Sequence, residues 1–451
     1  MSHLLNLIGR RWLASALAMS AGLCMLSASA HAQFFRGGAV GGVKIDADGV
    51  VSNPEIGELK QLQSTWQQGL NQVPADLEKF TDLRFVSLKR LESQIAAANA
   101  KREPLPEDVQ FLAGLQRVKY VLIYPDQKDI VLAGPAEGWR IDRLGNVVGA
   151  TTGRPVLMLD DLLVALRVAE DSNRTGISCS IDPTPAGLER MQALSGRLSA
   201  RGGPQAAAQQ MEEAVGDQTI SITGVPDTSH LARVIVAADF RMKRLAMNME
   251  PAPVDGLRSF LDMVGRSRAS ARNMMPRWWL APNYEPIRRD EGGLTWELRG
   301  QGVKCETEQD FLNESGQLQH SGKADPLAQK WADNFTAKFD ELAREDSTFG
   351  ALRNVMDLSV VGALLVKENL LERSGLEAPQ LLSQQPVEEF PVPRCVPSQA
   401  SFVKAGRNWV ISVSGGVQIF PWQVADRTEV VAELANARAE GPSPANWYWQ
   451  Q

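Results

Sequence analysis

The stretch QTISITGVPDTSHLARVIVAADFRMKRLAMNM, Gln218 to Met249, decides the fold class. Gln218 to Val225 reads as a strand, and Asp227-Thr228-Ser229 then supplies side chains that cap a helix. Leu231, Val234, Ile235, Ala238, Met242, Leu245 and Met249 follow at offsets 0, 3, 4, 7, 11, 14 and 18, one continuous apolar stripe. Just upstream, Ile177 to Ile181 is a second strand, ending at Asp182-Pro183. Thr184-Pro185 places an N-cap and a first-turn proline before a helix to about Leu198. Arg201-Gly202-Gly203-Pro204 breaks that helix, and an Ala- and Gln-rich helix runs on to Val215. Strands and helices at this spacing predict an α/β layer over residues 150–250.

Outward from this centre the pattern is mixed. On the N-terminal side, Asn53-Pro54 starts a helix to about Gly69, and further helices are expected over 85–101 and from Pro106. Val118 to Tyr124 and Lys128 to Ala133 read as a hairpin, and Asp160-Asp161 caps a helix through Leu162, Leu163, Leu166 and Val168. On the C-terminal side, Trp278 to Ile287 and Leu294 to Cys305 form a hairpin around Asp290-Glu291-Gly292-Gly293. Helices follow over 326–344 and 348–373. The expected class is α+β (mixed α/β), with a helical N-terminal region, central strand–helix layer, antiparallel hairpin, helical pair and small C-terminal β-meander. The expected segments are 1–32 signal peptide, 33–52 Gly-rich leader with a short hairpin, and 53–135 helical region with a β-hairpin. They continue as 136–384 central α/β region, 385–397 Pro-rich linker, and 398–451 small β element with the aromatic tail Trp447-Tyr448-Trp449.

The first 32 residues read as a secretory signal. Arg10 and Arg11 precede an apolar run from Trp12 to Leu26, too short to span a bilayer, and Ala30-His31-Ala32 is a signal-peptidase pattern. Leu358 to Val366, the most apolar stretch downstream, is bounded by Asp357 and Lys367 and reads as a buried helix segment. A soluble protein of the periplasm or extracellular space is therefore expected, with no membrane span after cleavage.

Chemistry is scarce in what remains. The chain has four Cys and four His, and cleavage would leave Cys179, Cys305, Cys395, His230 and His320. Loss of Arg10 and Arg11 takes the net charge from −6 to −8. No zinc, haem, dinucleotide or P-loop pattern is present, so no metal and no cofactor are expected. The moderate charge argues against a nucleic-acid partner. Three thiols in an oxidising compartment permit at most one internal disulfide, and spacing does not choose the pair.

Basic residues gather between Leu231 and Gly300, with 12 Lys+Arg against 8 Asp+Glu, whereas residues 301–390 carry 8 against 16. Arg241, Lys243 and Arg244 beside the apolar stripe suggest an anion site, against the plainer reading that they face the acidic helices downstream. Arg277, Trp278, Trp279 and Trp296 form the densest aromatic patch, suited to stacking on sugars or peptides. Successive strand residues point to opposite faces, however, so only one of Trp278 and Trp279 can join any one surface. Glu285, Asp290, Glu291 and Glu297 could pair as acid and base for glycan or peptide hydrolysis. Ser229 reads as a helix cap rather than part of a triad with His230.

Ile177 to Pro183, Ala237 to Arg244, Met275 to Leu280, Leu298 to Val303, Gly322 to Pro326 and Asn354 to Leu358 carry a resemblance. They are similar to an exported-protein family of planctomycete bacteria catalogued as domain of unknown function 1598. The resemblance spans roughly residues 80–430. It implies export and one long composite unit, and it brings no activity, ligand or catalytic residue. The leading expectation is a non-enzymatic binding or structural protein whose partner is a cell-envelope glycan or protein. The alternative is a secreted hydrolase using carboxylates near the 277–299 hairpin.

Overall fold

Alternating burial builds the central strands. In the computed structural model, Ile177–Pro183 buries Ile177, Cys179 and Ile181 and leaves Ser178 and Ser180 half-exposed on the other face. The structure describes residues 43–54, 72–195, 203–266, 275–312, 318–320, 322–399, 404–405, 408–409, 414–438 and 446–450. The signal segment, the leader up to Gly42, the helix expected after Pro54 and most of the meander expected over 401–413 lie outside those residues.

Two large sheets organise the described residues, which are mixed α and β. In the first, the strands run edge to edge as Leu318–His320, Gly302–Leu312, Met275–Asn283, Ser414–Ile419, Ile177–Pro183, Gln218–Thr223 and Cys395–Val396. Its neighbours pair antiparallel except Met275–Asn283 with Ser414–Ile419, which is parallel. The second runs Thr428–Val430, Ile287–Arg289, Thr295–Glu297, Tyr120–Tyr124, Asp129–Ala136, Thr81–Ser87 and Tyr448–Gln450. The expected hairpin around Gly292-Gly293 links the two. Its arms leave one sheet at Asn283 and Gly302 and enter the other at Ile287 and Glu297. Gly300 sits at the bend with φ +109°, where a Cβ would lie 2.8 Å from the Asn283 carbonyl oxygen, so only glycine fits without strain.

Four helices pack this frame: α1 (Leu159–Val168), α2 (His230–Ala246), α3 (Pro326–Ala337) and α4 (Ser347–Lys367). The α2 stripe is buried as its periodicity predicts, and the Ser229 hydroxyl accepts the Ala232 N–H at 3.1 Å. The far face of α2 is buried too, because α2 lies between α4 and the strands Ile177–Pro183 and Ser414–Ile419. By length and composition α4 could cross a membrane, yet 94% of its most apolar window is buried, as befits a core helix.

Several expectations change. Residues 81–87 form a strand rather than the start of a helix: Arg84, Phe85, Val86 and Ser87 are buried, and Ser87 caps Leu88–Lys101 by accepting from Arg90. The 326–344 helix breaks at Lys338, and the 348–373 helix breaks at Asn369, whose φ of 52° is left-handed. The stretch expected as a linker contributes the Cys395–Val396 edge strand. The expected C-terminal element is not separate: Ser414–Ile419 lies mid-sheet, Tyr448–Gln450 pairs with Thr81–Ser87, and residues 39–451 form one compact unit. The Ser414–Ile419 strand ends at Ile419, and Pro421–Ala425 turns helical within the segment expected as a β element.

Candidate functional site

Strand alternation separates the two neighbouring tryptophans. Trp278 is fully buried, its ring 5.0 Å from Phe260 and 4.7 Å from Trp331, and its Nε1–H donates to the Ala328 carbonyl. Trp296 is likewise fully buried and closes the hairpin turn by donating to the Gly293 carbonyl at 3.0 Å. Neither contributes to a surface. Trp279 points the other way, stays half-buried, and donates Nε1–H to Glu306 at 3.0 Å. The Arg277 guanidinium lies 5.5 Å from the Trp279 ring and pairs with Glu308 at 3.0 Å.

The basic residues of α2 are spent internally. Lys243 donates to Asp239 at 2.9 Å, to the Ile181 carbonyl at 2.9 Å and to the Gly415 carbonyl at 3.3 Å. Arg241 pairs with Asp346 at 2.9 Å and with Glu250, while Arg244 pairs with Glu250 and Gln399 and lies over the Phe240 ring. Burial pushes the Asp239 carboxyl up to about 6 despite the opposing Lys243 charge. A recess of about 50 Å³ opens beside Lys243 among Met211, Phe240, Met247 and Met249, room for a few waters rather than a ligand. The basic cluster serves the core here, answering buried carboxylates one by one.

The four carboxylates of the hairpin divide between its turn and an arginine network at its base. Asp290 Oδ1 accepts the Leu294 and Thr295 N–H groups and so holds the turn, and Glu291 is exposed at its tip. Glu285 pairs with Arg299, Glu297 with Arg288, and Glu429 bridges both arginines. The hydrogen bond from Arg288 holds the Glu429 carboxyl below the ordinary carboxylate range. The three thiols are free, with Cys179 and Cys305 buried and burial pushing both well above the ordinary thiol range. His320 ends the Leu318–His320 edge strand.

One constellation has no sequence signal. His230 Nδ1 meets the Asp161 carboxylate at 2.9 Å, joining the first turns of α2 and α1. Asp161 is 69 positions away, so only the fold pairs them. Burial would lower the imidazole pKa, but the charge and hydrogen bond of Asp161 prevail and raise it. Beside them burial raises Asp160 to about 6, partly offset by the Glu388 N–H it accepts. Among the described residues Asp161 is the hydrogen-bond partner of His230, so the pair lacks the hydroxyl or thiol a nucleophilic site needs.

What stays open is the edge beside Trp279. Gly302 to Asp310 pair with Met275–Asn283, but on the other side, among the described residues, only Asp310 to Leu312 pair, with Leu318–His320. Between that edge and α3 lies a recess of about 540 Å³. Trp279, Lys304, Glu306 and Thr307 line it from the strands, and Gln329 and Asp333 from the helix. Lys304 pairs with Glu306, and Asp333 accepts from Gln329 at 2.8 Å.

Residues 179–260 match the family model described as Protein of unknown function (DUF1598), the family that the quoted segments resemble. The match covers a narrower span than the resemblance does, and takes in Gln218–Thr223, α2 and most of Ile177–Pro183. No curated protein and no solved structure matches the chain.

Proposed function

We propose that this chain is an exported, non-enzymatic binding protein that holds its partner in the recess between the Gly302–Leu312 edge and α3. One observation carries the reading: Trp279, among the cationic and aromatic residues singled out by composition, borders a recess of ligand size, about 540 Å³. An indole with one face available and its N–H already held is a low-entropy platform for stacking. Export rests on the Arg10-Arg11, apolar-run and Ala30-x-Ala32 pattern. Burial of Cys179 and Cys305 is compatible with an oxidising compartment, since an inaccessible, protonated thiol reacts slowly.

The test uses residues 33–451 on isolated cell-wall glycan and on envelope protein fractions, alongside Trp279→Ala and Arg277→Ala. Saturable binding to either fraction, weakened by Trp279→Ala, is the expected result. Equal binding by Trp279→Ala would remove the site, and no binding to either fraction would remove the function.

A further inference from the structure

The edge of the recess carries information about its occupant, given the reading above that the recess binds a partner. In an antiparallel pair, alternate residues direct their N–H and C=O toward the partner strand and away from it. The Cys305 N–H bonds the Thr336 hydroxyl of α3 at 2.9 Å, so Cys305 belongs to the outward-directed set. Val303 and Thr307 share that parity. The Val303 carbonyl is taken by the Gln301 side chain at 2.9 Å. Thr307 is next along and lines the recess, and its parity directs its N–H and C=O away from Met275–Asn283.

We infer that the recess takes an extended polypeptide segment carrying a lysine or arginine, added as a strand to the Gly302–Leu312 edge at Thr307. Three features fit that occupant together. An outward-directed backbone amide pair is matched by another backbone, which donates and accepts at strand spacing. The recess is bordered by a strand edge, which is the element that strand addition extends, and by α3. The charge also fits: Asp333 has no cationic partner among the described residues, while Lys304 is already paired with Glu306. One face of an added strand would meet Asp333 and Gln329, and the other Glu306 and Trp279. A glycan would use the Trp279 face but would leave the Thr307 amide pair without a partner of matching spacing.

The experiment uses residues 33–451 and a display library of random linear peptides. Enrichment of sequences with a lysine or arginine at one position is expected. A selected peptide N-methylated at alternate residues should lose binding in one register and keep it in the other, because only one set of amides faces the edge. Thr307→Pro removes an N–H that does not face Met275–Asn283, a change that edge strands tolerate, and should abolish binding. Asp333→Lys, on exposed helix surface, should weaken binding about tenfold or more and reverse the charge preference. Slowed amide exchange at Thr307 on peptide addition reads the contact directly. Indifference to N-methylation in both registers, or full binding by both Thr307→Pro and Asp333→Lys, overturns strand addition. Failure of the library to yield any binder while cell-wall glycan binds in a Trp279-dependent way overturns the peptide and keeps the recess. Failure of both probes overturns both.

Discussion

The basic end of α2 and the Arg277–Trp279 stretch look alike in composition and behave oppositely in the fold. Each joins cationic side chains to large apolar ones. On α2, a helix enclosed on all sides leaves no direction in which a cation can reach solvent freely, so each of Arg241, Lys243 and Arg244 is met by a carboxylate or a carbonyl of the core. On Met275–Asn283 the period of two sends Trp278 inward and Trp279 outward, and one face stays half-exposed. A charged cluster is therefore available for binding only if its element has a face that the core does not claim.

The largest test of that contrast is a pair of truncations. Trp278→Ala removes a ring packed between Phe260 and Trp331 and should destabilise the protein by about 3–5 kcal/mol. Trp279→Ala should cost about 1 kcal/mol or less in urea unfolding, since it removes a half-buried ring and one hydrogen bond to Glu306. Equal losses would erase the distinction between the two faces.

A comparable loss is expected inside α2. Lys243→Met leaves the Asp239 carboxylate buried without its cation, which should cost about 3–5 kcal/mol. The double variant Asp239→Asn/Lys243→Met should recover part of that loss, and a double-mutant cycle measures the coupling. Additive losses would mean that the pair does not act as a unit.

The pH dependence of stability comes next in size. Asp160 and Asp239 are each raised to about 6 by burial, above an unfolded value of roughly 4. A raised carboxyl favours the folded state while protonated, so its stabilisation is complete below about pH 4 and is lost as pH climbs through 6. His230 is raised as well, because Asp161 outweighs burial, and its contribution disappears as pH rises above the ordinary imidazole range. All three run in one direction: from about pH 4 to pH 8 unfolding should become easier, by on the order of 2–3 kcal/mol for each carboxyl, most of it below about pH 6. Asp160→Asn should flatten part of the urea-midpoint profile. A profile that rises toward pH 8, or an unchanged slope in that variant, would contradict this ionisation pattern.

These results also locate what a sequence can carry. The α2 stripe, its Ser229 cap, the strand at 177–181 and the hairpin around Gly292 rest on periodicity and turn chemistry, which act over a few residues, and all are present. The alternation of Trp278 and Trp279 was legible for the same reason. Local pattern is silent on which strands share a sheet, so Ser414–Ile419, expected in a separate meander, lies mid-sheet beside Met275–Asn283. The helix expected from Phe85 begins at Leu88, because burial of Arg84 to Ser87 on both faces removes the alternation that marks a strand. His230 with Asp161, and the recess formed by α3 against a strand edge, depend on tertiary packing and have no local signature.

The smallest expected effect is the most selective one. Arg277 and Glu308 form a cross-strand ion pair whose side chains keep 19% and 17% of their exposure, and partial solvation limits such a pair to about 1 kcal/mol or less. Arg277→Ala should therefore barely move the urea midpoint. It should still affect the recess, because the guanidinium lies 5.5 Å from the Trp279 ring and helps to hold the indole over the strand. A few-fold weaker association with unchanged stability is the expected signature, read by titration of a bound peptide against the intact variant. Arg277→Lys keeps the charge but loses the planar stacking group, so it should fall between the two. If it matched the parent while alanine did not, charge rather than ring orientation would be what Arg277 contributes. The open face would then work as an electrostatic surface, closer in kind to the α2 cluster than its half-buried tryptophan suggests.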